Sequence, residues 1–249
     1  MKFIAIIPAR YASTRFPGKP LAMLGGKTVI QRVYEQTTKV LNDVYVATDD
    51  ERIENAVKAF GGSIVMTSPD HKSGTDRCYE AYTKVGETCD VIINVQGDEP
   101  FVRSSQLEGL MACFSDPFTQ IATLVKPFAA DASFEALLHI NSPKVVVDKA
   151  MNALYFSRSI IPYQRNVNET GWLKNHTYYK HIGLYAYRFD VLKEIVGLPL
   201  SSLEKAESLE QLRWLENGYK IKVGITDVET IGIDTPEDLE RAEQFLKTK

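Results

Sequence analysis

Arg10, Arg15 and Lys19 place three cations within ten residues, in the stretch Arg10-Tyr11-Ala12-Ser13-Thr14-Arg15-Phe16-Pro17-Gly18-Lys19-Pro20. The hydroxyls of Ser13 and Thr14 lie among them, and two prolines limit the freedom of the chain. Fixed positive charge, hydroxyl donors and exposed backbone N–H groups are what a triphosphate needs. Arg15 and Lys19 are spaced to clasp a polyphosphate from one loop. Taken alone, such a trio reads better as a solvated basic loop. Its place favours phosphate: it follows Phe3 to Ile7, an apolar run typical of a strand covered on both faces. Open α/β sheets bind ligands outside the carboxyl ends of their strands.

Gln96-Gly97-Asp98-Glu99-Pro100 stands in the same relation to a second apolar run, Val91 to Val95. Mg²⁺ is usually held through one or two carboxylates plus substrate phosphates, and Asp98 is a hard oxygen ligand at a strand end. An aspartate in such a turn can equally cap local backbone. Asp234 follows Thr230-Ile231-Gly232-Ile233 and precedes Thr235-Pro236, a helix start. If 230–233 is a strand near Asp98, the two carboxylates can share a metal; otherwise Asp234 belongs to the capping turn alone. Ser73-Gly74-Thr75-Asp76-Arg77 opens a helix, whose electropositive N-terminus suits an anion or a polar base edge as well as a plain cap. Arg158 can pair bidentately with a carboxylate. His181 and Tyr185 lie in a strand, where such residues are more often structural. Glu210 and Gln211 share a helix with Leu209, Leu212 and Leu215 at core spacing, and are either surface residues or substrate contacts.

The elements that must position these residues alternate. Strands are expected at Phe3 to Ile7, Val44 to Thr48, Ser63 to Met66 and Val91 to Val95. Helices are expected around Ile30 to Thr37 and Arg52 to Phe60. That alternation predicts an α/β fold with a mostly parallel central sheet and helices on both faces. Residues 1–249 read as a single domain, and at about 128–189 the pattern changes to a smaller β-rich inserted subdomain. There, Lys144 to Asp148, Ala153 to Phe156 and Ile182 to Tyr187 read as strands, with a polar loop around Asn166 to Asn175. Helices near Asp190 to Val196 and Leu203 to Asn217, a strand at Lys220 to Ile225 and a final helix from Pro236 close the chain. In that last helix Thr235 is the expected N-cap and Asp238 stands three residues on.

Two familiar phosphate motifs fail. Gly25-Gly26-Lys27-Thr28 mimics the end of a P-loop, but the required earlier glycine falls on Leu21. No G-x-G-x-x-G follows the first strand, which argues against a dinucleotide-binding dehydrogenase. The 249 residues are 44% hydrophobic and 24% charged, ordinary globular usage. A net charge of -3 gives no basic footprint for nucleic acid. The cysteines, Cys78, Cys89 and Cys113, are odd in number and form no CxxC, so neither a disulfide framework nor a structural zinc site is expected. The N-terminal apolar run is too short for a signal peptide, and no run approaches the roughly 20 apolar residues of a membrane span. A cytoplasmic protein without membrane insertion is expected.

Together the motifs carry a resemblance. The stretch Arg10 to Pro20 resembles the opening signature of the CMP-KDO synthetases, the 3-deoxy-manno-octulosonate cytidylyltransferases. Ser73 to Arg77, Asn94 to Pro100, Tyr155 to Arg158, His181 to Tyr185, Leu209 to Arg213 and Asp234 to Leu239 are similar to the later motifs in order, across the whole chain. The first motif is shared in weaker form by many sugar nucleotidyltransferases; the full ordered set is specific. Departures are mild: Ala206 where isoleucine is common, and Gly232-Ile233-Asp234 where Gly-Val-Asp is frequent. Phe128 to Ser142 matches less closely.

The resemblance implies a nucleotide-diphospho-sugar transferase-like fold, CTP and KDO as substrates, Mg²⁺ dependence, a homodimer built through the inserted region and a place in lipopolysaccharide assembly. By similarity, Arg10, Ser13, Arg15 and Lys19 hold the triphosphate. Ser73, Arg77 and Gln96 surround the nucleotide. Asp98 and Asp234 are the metal ligands. Arg158, His181, Tyr185, Glu210 and Gln211 line the sugar-acid pocket. The nearest rivals are enzymes activating 8-amino-KDO or sialic acid. A non-catalytic nucleotide-binding module is disfavoured because Arg15, Lys19, Asp98 and Asp234 are all present.

Overall fold

Ile4, Ala5, Ile6 and Ile7 are four consecutive residues without solvent exposure. A strand covered on both faces buries consecutive side chains in this way, and Phe3–Pro8 is one. It is the first strand of a computed structural model that describes residues 1–229 and 231–248. The elements, in chain order, begin with β1 (Phe3–Pro8), β2 (Met23–Leu24), β3 (Lys27–Thr28), α1 (Val29–Thr37), β4 (Val44–Thr48), α2 (Glu51–Ala59) and β5 (Ile64–Met66). There follow α3 (Gly74–Val85), β6 (Val91–Asn94), α4 (Ser104–Ala112), β7 (Ile121–Pro127), α5 (Phe134–Leu138), β8 (Lys144–Val147) and β9 (Ala153–Ser157). The remainder is α6 (Trp172–Asn175), β10 (Tyr179–Arg188), α7 (Phe189–Ile195), α8 (Ser202–Glu207), α9 (Gln211–Glu216), β11 (Ile221–Ile225) and α10 (Pro236–Lys247).

The chain forms two compact units. One holds Met1–Glu108, Ala186–Val196 and Thr230–Lys249; the other holds Gly109–Tyr185 and Gly197–Glu229. In the first, β1 pairs in parallel with both β4 and β6, and β4 pairs in parallel with β5. The helices between these strands start on side-chain caps. Thr28 accepts from Gln31, Asp50 from Arg52 and Ser73 from Asp76. Each cap satisfies an N–H that the helix leaves open. In the second unit β11 lies parallel to β7, while β8 is antiparallel to β9 and β10. The mostly parallel α/β architecture expected from the alternation is present.

Several expectations need correction. The P-loop mimic is a two-stranded hairpin, β2 to β3, turned by Gly25 and Gly26 at φ 55° and 79°. A glycine pair serves such a turn because both residues take positive φ. The region 166–175 is not a plain loop. It contains a 3₁₀ turn at Glu169–Gly171 followed by α6, because Trp172 is drawn into an apolar cluster with Leu137 and Tyr178. The helix expected over 203–217 is two helices. Ser208 sits at φ 51°, ends α8 and redirects the chain into α9. The strand β7, most of it buried, was not anticipated. The expected insertion at 128–189 falls within the second unit up to Tyr185, and that unit also takes in 109–127 and 197–229.

Candidate active site

The loop after β1 is held in shape by its own backbone. Gly18 donates to the Tyr11 carbonyl at 2.9 Å and Lys19 to that of Phe16 at 3.3 Å. Gly18 has φ 73°, and a Cβ there would lie 2.9 Å from the Tyr11 ring, so the turn excludes a side chain twice over. The Arg52 guanidinium covers the other landmark, 3.3 Å from the Tyr11 ring centroid. Lys19 then enters a 3₁₀ turn, Lys19–Leu21, with Pro20 buried beneath it.

Lys19 is where the separate motifs meet. Its ammonium donates to Asp98 and, at 3.1 Å, to Asp234. Arg15 pairs with the same Asp234 oxygen at 3.0 Å. Burial works against the Lys19 charge, but the two carboxylates more than offset it and raise its pKa above the usual lysine value. The segment 231–233 is not a strand; Thr230 lies outside the described residues. Asp234 reaches Asp98 because Ile233 donates its N–H to the Asp98 carbonyl at 2.9 Å, while Thr235 and Asp238 form a reciprocal capping box at the start of α10. Capping and the approach to Asp98 therefore coexist.

Gly97 brings the second loop against the first. A Cβ at Gly97 would lie 2.7 Å from the Pro8 carbonyl oxygen. Gln96 donates to Asn94 at 3.1 Å. Ser73 and Asp76 cap α3 reciprocally, so the Ser73 hydroxyl accepts from the helix start. Arg77, 4% exposed, donates to Thr67 at 2.6 Å and pairs with Asp49 at 3.0 Å. Arg10, Arg15, Lys19, Ser73, Arg77, Gln96, Asp98 and Asp234 all line one cavity of about 260 Å³. Ser13 is not among its lining residues. His71 and Lys72 are, and the sequence reading passed over both although they directly precede the Ser73 motif. Glu80 orients His71. Burial opposes the Glu80 charge, but Lys84, the Ser68 N–H and His71 hold its pKa down to about 2. Five cations thus face two carboxylates, the balance that a polyanion would neutralise.

The second unit gathers the other five. Arg158 donates from Nε to the Glu207 carbonyl at 2.7 Å, from Nη1 to that of Ile140 at 2.9 Å and from Nη2 to that of Ser208 at 3.2 Å. A guanidinium has five N–H groups, so one remains on each terminal nitrogen. Glu207 accepts in turn from Ser157 and from the Arg158 N–H. This interlock fixes the corner from which Glu210 and α9 start. Glu210 accepts from Arg213 at 2.8 Å. Gln211 is 5% exposed, and its amide nitrogen has no hydrogen-bond partner among the described residues. Tyr185 packs edge-on against Trp214 of α9 at 5.2 Å and, with its ring tilted, against His181 at 5.3 Å. His181 is half-buried, and the protein enclosing it pushes its pKa down to about 3.

Asp98 and Asp234 fit a magnesium site. Both turn a carboxylate oxygen toward one ammonium, so they already share a cation. Two hard oxygen ligands, with water and phosphate completing the shell, is the usual Mg²⁺ arrangement.

A family described as Cytidylyltransferase matches residues 4–221. A 3-deoxy-manno-octulosonate cytidylyltransferase of Phocaeicola vulgatus is 77% identical over 249 residues, covering 100% of this chain and 99% of the relative. An 8-amino-3,8-dideoxy-manno-octulosonate cytidylyltransferase of a Shewanella species is 45% identical over 251 residues, with 99% of each covered. Among solved structures, a CMP:2-keto-3-deoxy-manno-octonic acid synthetase complexed with CTP superposes with a TM-score of 0.91 at 44% identity, covering 100% of this chain and 99% of that one. No helix among the described residues is long and apolar enough to cross a membrane. A cation-rich cavity at the strand ends, two carboxylates on one ammonium and relatives matched from end to end lead to one conclusion: the chain belongs to the 3-deoxy-manno-octulosonate cytidylyltransferase family.

Proposed function

We propose that this chain transfers CMP from CTP to the anomeric hydroxyl of KDO (3-deoxy-D-manno-octulosonate), releasing pyrophosphate. The observation that carries the reading is the meeting of Lys19 with Asp98 and Asp234 in a cavity that Arg10, Arg15, Lys72 and Arg77 also line. In-line attack of the sugar hydroxyl on the α-phosphorus needs no covalent intermediate. The protein must position two anions and meet the charge that develops. Arg10, Ser13, Arg15 and Lys19 hold the triphosphate, and Arg15 and Lys19 stabilise the departing pyrophosphate. Ser73, Arg77 and Gln96 surround the nucleotide. Asp98 and Asp234 hold Mg²⁺, which when bound would polarise the α-phosphoryl group and screen the repulsion between the substrates. Arg158, His181, Tyr185, Glu210 and Gln211 receive the acid sugar; the unpartnered Gln211 amide supports this.

In this reading the enzyme works in the cytoplasm, supplies activated sugar for lipopolysaccharide assembly and is a homodimer joined through the inserted segment. Leu138, Ile140, Leu154 and Tyr163, large apolar side chains exposed there, favour that interface. An 8-amino-KDO enzyme is the reading that identity favours less, 45% against 77%.

The test is pyrophosphate release with Mg²⁺ and each nucleoside triphosphate, paired in turn with KDO, 8-amino-KDO and sialic acid. Release with CTP and KDO alone is expected. Release only with another acid sugar overturns the substrate, and release with none overturns the reaction.

A further inference from the structure

His181 meets a buried hydroxyl from a neighbouring strand. Thr123, on β7, has no solvent exposure. Its hydroxyl oxygen lies 3.0 Å from His181 Nε2, 2.8 Å from the Leu184 carbonyl and 3.2 Å from the Ile182 carbonyl.

A hydroxyl has one hydrogen to give and two lone pairs to offer. The Leu184 carbonyl is nearest and can only accept, so the Thr123 hydrogen goes there. A lone pair of the same oxygen faces the imidazole. With the threonine hydrogen already committed, His181 must be the donor, so Nε2 carries its hydrogen. Burial holds the ring neutral, so it has one N–H and no more. Nδ1 is then a bare acceptor, and no hydrogen bond ties it to a protein group among the described residues.

We propose that Thr123 is a positioning residue that locks His181 in the Nε2–H tautomer, so that His181 Nδ1 is presented as an acceptor to a hydroxyl of the acid sugar. This rests on the reading of His181 as a sugar-pocket residue. It assigns His181 a kind of contact: a bare ring nitrogen takes an O–H and repels a carboxylate, leaving the substrate carboxylate to donors such as Arg158.

Thr123→Val removes the oxygen at nearly constant shape, and Thr123→Ser keeps it. Long-range ¹⁵N–¹H spectra of the histidine rings in the full-length protein read the tautomer directly. The expected result is Nε2–H for His181 in the wild type and in Thr123→Ser, and a mixed or Nδ1–H ring in Thr123→Val. KM for KDO is expected to rise about tenfold in Thr123→Val and to stay within about twofold in Thr123→Ser, with KM for CTP unchanged in both. An Nδ1–H ring in the wild type overturns the proposal, and that spectrum decides even if Thr123→Val fails to fold. An unchanged tautomer in Thr123→Val overturns it too. A shifted tautomer with KM for KDO unchanged removes His181 from the sugar pocket and sinks the presentation to substrate. Loss of all turnover in the wild type with an intact Nε2–H ring would count against the proposed reaction instead.

Discussion

The two groups of candidate residues are built in opposite ways. In the first unit the charges stand on loops at strand ends. Arg10, Arg15 and Lys72 are exposed, and the cations outnumber the carboxylates they face. In the second unit the polar groups are largely committed to one another. Arg158 gives three N–H groups to backbone carbonyls, and Thr123 saturates its hydroxyl on its neighbours. A site for a flexible, highly charged ligand needs surplus charge. A site that distinguishes one hydroxylated ring from another needs donors and acceptors already aimed, since a buried polar group left unpaired is what rejects the wrong ligand.

That contrast can be broken most forcefully at Asp98. Asp98→Asn takes a charge from the first site without changing its shape, and kcat should fall on the order of 10²–10³-fold. The thermal midpoint should move little; a large drop would make Asp98 a structural residue. Gly97→Ala attacks the same site through packing. Its Cβ would press on the Pro8 carbonyl at 2.7 Å, and backbone must shift. A urea titration should show about 1–3 kcal/mol of destabilisation, with turnover reduced as the two loops separate. Unaltered stability would mean that the loop gives way freely.

Arg158→Ala should act on the sugar side alone. By freeing the corner at Glu207 and Ser208 it should raise KM for KDO about tenfold and leave KM for CTP as it was. Equal changes in both constants would erase the contrast. The change that leaves neutral-pH activity aside is a pH dependence of stability. The folded-state pKa of His181 is depressed from 6.5 to about 3, so between those values the unfolded chain binds a proton that the folded protein refuses. The stability that neutral His181 leaves intact above pH 6.5 is therefore lost as the pH falls toward 3. In His181→Gln the decline over that window, followed by urea unfolding, should be shallower; an identical decline would place the acid-sensitive group elsewhere.

The first site was legible in the sequence because its information is local. A run of cations after an apolar strand, and Ser73 and Thr235 each followed three residues later by aspartate, can be read from neighbours. The approach of Asp234 to Asp98 was not legible in the same way. It depends on one hydrogen bond, Ile233 to Asp98, across residues far apart in the chain, and the expected strand is not what makes it. Thr123 was invisible for the same reason. A threonine in an apolar run carries no local sign that its hydroxyl will meet a histidine 58 residues on. Ser208 was missed because a serine at positive φ is uncommon, so nothing interrupted the helical spacing from Leu203 to Asn217.

The reciprocal caps at the starts of α3 and α10 have a consequence for the speed of ligand capture. Ser73 with Asp76, and Thr235 with Asp238, close these helix ends using the chain's own atoms. Neither end waits for an arriving anion to give it shape. The ordering cost is met once, when the chain folds, and does not recur at every turnover. Encounter with a nucleotide should then resemble docking onto a rigid, charged surface, with an association rate set by diffusion and ionic strength rather than by a segment that must first find its fold.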